Sequence, residues 1–242
     1  MDRGIVRALV IALGLAVAGL LVGNGFARGR AADRFVTVKG VAEREARADL
    51  AIWPLRLVAA DNDLARAHAT LQSSLQKVRE FLSRQGIDTT QAALQDFSVT
   101  DALTNQYGPG DRAGSRYVIR QTLVVRSTKP EQVLAASQRV GELVAAGVVL
   151  SSGGEYGSGG PTFVFTGLNA LKPKMIAEAT ARAREAADQF ARDSHTELGG
   201  IRTASQGVFE ILPRDQAQGI TEESQIVKTV RVVSTVEYFL ER

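Results

Sequence analysis

The sequence predicts an α+β fold with a mostly antiparallel sheet and three helices, preceded by one N-terminal transmembrane helix. Three observations lead there. Ala8 to Ala27 is an uncharged run between Arg7 and Arg28; at 1.5 Å per residue such a run spans roughly the 30 Å of a bilayer's hydrocarbon. Beyond it, segments of alternating and of helical apolar period follow in the order ββαββαββαββ. Three helices are too few, and hairpins too many, for a doubly wound parallel sheet, where each crossover needs a helix. With 45% hydrophobic residues in 242, the chain can bury a sizeable core and is too apolar to be disordered.

The first element divides the chain into residues 1–32, an anchor and connector, and residues 33–242, the folded domain. A cleaved signal peptide competes with the anchor, because Arg3 and Arg7 make a basic start and Gly25-Phe26-Ala27 offers small residues for cleavage. The run exceeds the ~7–15 apolar residues of a signal core, which favours retention. Arg28, Arg30 and Arg34 balance Arg3 and Arg7, so the positive-inside rule sets no orientation. Gly19 and Gly23 form a small-xxx-small pair suited to helix–helix packing in a membrane, although glycine is common in such helices.

Phe35 to Val41 and Ala48 to Val58 read as strands separated by a charged turn at Glu43 to Arg47. Pro54, with apolar residues on both parities around it, places a bulge in the second strand or puts that strand at the sheet border. Leu64, Leu71, Leu75, Val78 and Leu82 recur at helical spacing behind Asp61, Asn62 and Asp63, and Gly86 supplies the stop. Leu94 to Thr100 and Tyr117 to Val125 form a hairpin around a polar tip at 105–114. Thr128-Lys-Pro-Glu131 has a capping-box pattern, and Val133, Ser137, Val140 and Val144 trace one helix face until Gly147. Val148 to Ser151 and Thr162 to Thr166 flank the glycine-rich loop 153–160, read as a hairpin tip. The third helix begins near Pro173 and carries Ile176, Ala179, Ala183, Ala186, Ala187 and Phe190 toward the sheet, with Glu178/Arg182 and Asp188/Arg192 paired outside. Ile201 to Leu212 and Gln225 to Leu240 close the fold as long strands, with Ile226, Val230, Val232 and Val236 on one parity. The last strand is long enough that some of it should overhang its neighbours.

The chemistry is sparse. A formal charge of +3, with Lys and Arg interleaved among Asp and Glu, lacks the basic stripe of a nucleic-acid binder. The absence of cysteine removes disulfides, thiolate metal sites and cysteine nucleophiles. Two histidines without HxxxH spacing leave no metal or cofactor site to name. Asp193, Ser194 and His195 are adjacent, but neighbours on a helix point about 100° apart and cannot form a proton relay. His68, in line with Leu64, Leu71 and Leu75, reads as a rim or core histidine, and Trp53 as core. The loop at 153–160 lacks the Gly-Lys-Ser/Thr of a phosphate loop. Tyr107 and Tyr156, in the two loops, are the candidate partner-contact aromatics. No catalytic residue emerges, and the chain is not expected to be an enzyme.

Thr37-Val-Lys-Gly40, Ala48-Asp-Leu-Ala-Ile-Trp-Pro54, Arg116-Tyr-Val-Ile-Arg-Gln121, the stretch from Leu168 to Ser194, Ser205-Gln-Gly-Val-Phe209 and Lys228-Thr-Val-Arg-Val-Val233 resemble the SIMPL-domain (DUF541) family. The likeness runs from about Phe35 to Leu240 and rests on the order and coverage of these segments. The resemblance implies paired strands, a long helix, hairpins and an alanine-rich helix before two final strands. It also implies an inner-membrane, single-pass protein whose domain faces the periplasm. One group in the family assembles into ring-like oligomers, and others are linked to resistance to oxidative stress; no catalytic residues carry over. His195 departs from the glycine expected there. The resulting expectation is a membrane-anchored homo-oligomer of the cell envelope. The alternatives are a monomeric adaptor or ligand-binding module presenting loops 105–114 and 153–160, and a hydrolase.

Overall fold

The structure, a computed structural model, describes residues 3–31, 34–90, 92–103, 114–151 and 159–241, with side chains of the N-terminal helix described over 11–25. That helix, α1 (Arg3–Ala31), is followed by β1 (Phe35–Arg47), β2 (Leu50–Asp61), α2 (Leu64–Arg84), β3 (Ala93–Asp101) and β4 (Tyr117–Ser127). Then come α3 (Pro130–Gln138), α4 (Gly141–Ala145), β5 (Thr162–Val164), α5 (Leu168–Asp193), β6 (Glu197–Gln206), β7 (Glu210–Pro213), a 3₁₀ turn (Glu222–Ser224) and β8 (Val227–Glu241). The α+β class holds. The strands form two four-stranded sheets, not the single one expected, and the chain gathers into two compact units. Among the described residues no helix is long and apolar enough to cross a membrane.

One unit comprises Met1–Arg44, Lys172–Glu210 and Arg231–Arg242. Its sheet has the order β1-β8-β6, with β7 also pairing β8. The charged stretch read as a turn continues β1 to Arg47, because Ala42 and Ala46 keep its inward alternation while Glu43, Glu45 and Arg47 point out. In β8 the even residues from Lys228 to Tyr238 are buried, the parity read from the sequence. β8 does not overhang β1, since Leu240 N–H donates to Arg34 O near one end and Ala48 N–H donates to Ile226 O at the other; β6 and β7 also pair β8. α5 starts before Pro173, which lies inside it. Its buried stripe is Met175, Ala179, Ala183, Ala187 and Ala191, and Phe190 is exposed, so the helix is turned slightly from the expected face. Glu178 pairs with Arg44 at 3.0 Å and Arg192 with Gln189 at 2.6 Å, in place of the i,i+4 partners expected. Gly40 lets β1 approach the helix backbone: a Cβ there would lie 1.8 Å from the Ala179 carbonyl oxygen. Ala183 and Ala187 pack against Val36, Val236 and Tyr238.

The second unit comprises Glu45–Leu171 and Ile211–Val230. Its sheet runs β3-β4-β2-β5, and β2 pairs β4 in an unbroken register from Ala51↔Ser127 to Asp61↔Tyr117. β2 is therefore neither bulged nor a border strand. Pro54 is tolerated because its parity is that of Arg56 and Val58, which bond away from β4 to Ser151 and Val149. Its missing N–H thus falls outside the β2–β4 ladder. Ala51, Trp53, Leu55, Leu57 and Ala59 all face the core, against Ile119, Leu123 and Val125 of β4 and Leu71, Leu75, Val78, Phe81 and Leu82 of α2. Each such large side chain contributes about 1.5–3 kcal/mol on burial. Asp63 caps α2 through the Arg66 amide, and Gly86 ends it at φ +73°.

The expected second helix is two. Arg139 and Val140 separate α3 from α4, which starts at the poor helix former Gly141. Leu143 is buried there, while Val144 is exposed. The capping box does not form: Pro130 takes the first turn, Lys129 stands at the cap, and the Glu131 carboxylate accepts from Arg47 at 2.9 Å. The flanks of 153–160 do not pair with each other. Leu150 bridges Leu57, and β5 pairs residues 50–52 of β2.

Candidate functional site

Strand edges are the features with most capacity for recognition, because they carry backbone donors and acceptors in a row. Among the described residues the sheets are bordered by β1, by β6 and the four-residue β7, by β3 and by β5. β5 has three residues. β3 carries a bulge between Gln95 and Ser98, with Asp96 at φ +54°, and its apolar Leu94, Phe97 and Val99 are exposed. β6 shifts register twice against β8, between Leu198 and Ile201 and between Ile201 and Thr203. Shortness and bulges are the devices that blunt an edge. β1 has neither: it is 13 residues long with unbroken alternation.

Its pairing with β8 shows which backbone groups remain. Leu240 N–H donates to Arg34 O at 3.0 Å, and Ala48 N–H donates to Ile226 O at 2.8 Å. Equal numbers of residues separate these bonds on the two strands, so nothing is inserted between them. Even residues therefore turn N–H and C=O toward β8, and odd residues from Phe35 to Arg47 turn theirs to the open edge. The same odd residues have exposed side chains. Lys39, Val41 and Glu43 stand in the middle of that row, with Glu43 Oε1 3.4 Å from Arg231 Nε. At its start the Arg202 guanidinium lies over the Phe35 ring at 4.0 Å.

The family model of SIMPL, "Protein of unknown function (DUF541)", matches residues 36–238. The chain belongs to the SIMPL family. No curated protein matches it. In this SIMPL chain the matched region begins one residue into β1 and ends within β8, so the paired strands just described lie inside it.

Some of the residues singled out from the sequence lie within the described residues and some outside them. Tyr107 and Tyr156 lie outside the described residues, as do residues 105–113 and 153–158 of their loops. A Cβ at Gly19 or Gly23 would meet nothing within 4 Å. Trp53 is core, as expected, but His68 is exposed beside Gln72. Asp193 is the last residue of α5, and Ser194 and His195 follow it in a turn. Asp193 accepts from Gln189 at 2.8 Å, and Ser194 Oγ donates to Phe190 O at 2.8 Å. His195 takes φ +53° where glycine is usual. Among the described residues no three acidic or histidine side chains gather as metal ligands. Grooves of about 380, 440 and 210 Å³ in the second unit hold one carboxylate each, Asp88, Glu223 and Asp96. The Asp88 oxygens already accept from Thr90 N–H and Oγ, which lower its pKa.

The remaining shifts come from surface pairs. Arg66 holds Asp61 below the usual carboxylate range, Arg116 does the same to Asp101, and Arg47 to Glu131. Sequence reading missed Lys228. It is fully buried, donates to Glu222 O at 2.6 Å and pairs with the Glu222 carboxylate. Its position on the buried parity of β8, between Ile226 and Val230, was the available signal.

Proposed function

We propose that this protein is a membrane-anchored, self-associating scaffold of the cell envelope, with its domain in the periplasm and a protective role under envelope stress. The carrying observation is β1: a long strand edge without bulge or break, directly after the N-terminal helical segment. An open edge of that length is a template for another chain. The uncharged run Ala8 to Ala27 supports anchoring by its length. Confinement of the copies to a membrane plane would raise their effective concentration at that edge. The envelope location follows the expectation drawn from the family resemblance, not the family match, whose description names no location.

Two measurements test the reading. A reporter fused after Arg242 is expected to be active only in the periplasm, with the protein retained in membranes after a salt wash; cytoplasmic activity refutes it. In light scattering, with detergent subtracted, the full chain is expected well above the 25.9 kDa of one copy. A chain beginning at Asp33 should associate more weakly. Monomers of both at tens of micromolar refute self-association and favour the adaptor reading.

A further inference from the structure

We propose that β1 pairs antiparallel with β1 of a second copy about a twofold axis through Val41, joining the two sheets into one. This rests on the self-association reading and names its interface.

The strand's own dimensions select the register. Val41 is the midpoint of Phe35–Arg47, so a twofold there overlaps the whole strand and no other register does. Val41 then lies opposite its own copy, Lys39 opposite Glu43 of the second chain, and Glu43 opposite its Lys39. Thr37 meets Glu45, and Phe35 meets Arg47. No two like charges are opposed. A twofold at Glu43 would set Glu43 against Glu43 and Lys39 against Arg47, which cross-strand repulsion disfavours.

Hydrogen bonding agrees with that register. The odd residues present N–H and C=O to the open edge, and a twofold at an odd residue pairs odd with odd. Each of them then donates and accepts across the seam. A twofold at Gly40 would overlap less of the strand and leave Arg47 without an opposite residue.

The helix on the sheet fits as well. Ala183 and Ala187 of α5 touch Val36 of β1 and Val236 and Tyr238 of β8, so α5 lies along the β1–β8 seam. Across the new seam the two copies of α5 stand two strand spacings apart, roughly 10 Å, the distance at which helices pack.

The chain has no cysteine, so single-cysteine variants report without background. In the full chain in detergent, Val41→Cys places the two Cα atoms about 5.5 Å apart, within disulfide reach. Mild oxidation should give a covalent dimer as the main species. Thr37→Cys puts its copies roughly 25 Å apart and should give none. Lys39→Glu should weaken association roughly tenfold, and Lys39→Glu with Glu43→Lys should restore it, since two cross-seam pairs are reversed and then re-formed. Light scattering of the unmodified chain separates the failures. If the chain is an oligomer but the Val41→Cys variant does not cross-link, or the Thr37→Cys variant cross-links equally, the β1 interface is overturned and the self-association reading stands. A monomer overturns both.

Discussion

Replacing Gly40 by alanine tests the closest contact in the first unit. The added Cβ would lie 1.8 Å from the Ala179 carbonyl oxygen and 2.4 Å from the Ala183 nitrogen. Both are backbone atoms of α5, so no side chain can swing away. Restoring ordinary contact requires β1 and the helix to separate by roughly 1.5 Å, and a gap of even ~1 Å forfeits up to about half the dispersion energy of the atoms facing it. The loss falls on Ala183, Ala187, Val36, Val236 and Tyr238, all buried on that face. Overpacking a well-filled core costs about 1–3 kcal/mol when side chains can absorb it. With backbone on both sides, Gly40→Ala should cost more than ~3 kcal/mol, a large share of the ~5–15 kcal/mol typical of a folded protein. Urea unfolding followed by circular dichroism measures it. Gly200→Ala is the control, since a Cβ there meets nothing within 4 Å and its φ is not positive, and it should fall within ~0.5 kcal/mol of the parent. A loss under ~1 kcal/mol for Gly40→Ala would refute the close seating of α5 on β1.

Three further outcomes follow from named contacts. Ala183→Arg should cost more than ~3 kcal/mol and prevent folding, because Ala183 is fully buried, whereas exposed Arg182→Ala should cost under ~1 kcal/mol; equal effects on the denaturation midpoint would mean a rotated helix. Glu222→Gln leaves the buried Lys228 ammonium without its carboxylate and should cost ~3–5 kcal/mol, while adding Lys228→Met should recover most of it, since an apolar replacement of a buried pair is often neutral; an unchanged single variant would show the pair to be dispensable. The carboxyls of Asp61, Asp101 and Glu131 are held below their ordinary values, so their contribution is complete above the unfolded range near pH 4 and is lost as pH falls through the lower folded values; melting temperature should stay level from pH 7 to 5 and drop below about 4, and a drop already between 7 and 5 would contradict this.

The candidate surface was partly legible. The β1 alternation is visible in Val36, Val38, Ala42 and Ala46, yet Glu43, Glu45 and Arg47 disguised its second half as a turn. Charges on an exposed parity do not interrupt a strand whose other face is packed. Lys228 was legible in the same way, as a cation on the apolar parity of β8. Tyr107, Tyr156, Gly19 and Gly23 were chosen by residue type and loop or helix context. A Cβ at Gly19 or Gly23 would meet open space, and Tyr107 and Tyr156 lie outside the described residues.

By itself the sequence determined the local periods: the α2 stripe with its Asp63 cap and Gly86 stop, the parity of β8, the alanine stripe of α5, and the SIMPL membership that order and coverage revealed. These are short-range properties, set by the 2.0 and 3.6 residue repeats and by capping chemistry. Only the tertiary structure decided that β1 and β2, neighbours in the chain, enter different sheets, that β8 is interior while β1 is an edge, that Pro54 falls on the side away from β4, and that Glu131 serves Arg47 and not a cap. Each of these depends on which strand lies alongside which. The same alternating pattern satisfies an edge or an interior strand equally well, so partnership is settled by packing between segments distant in sequence.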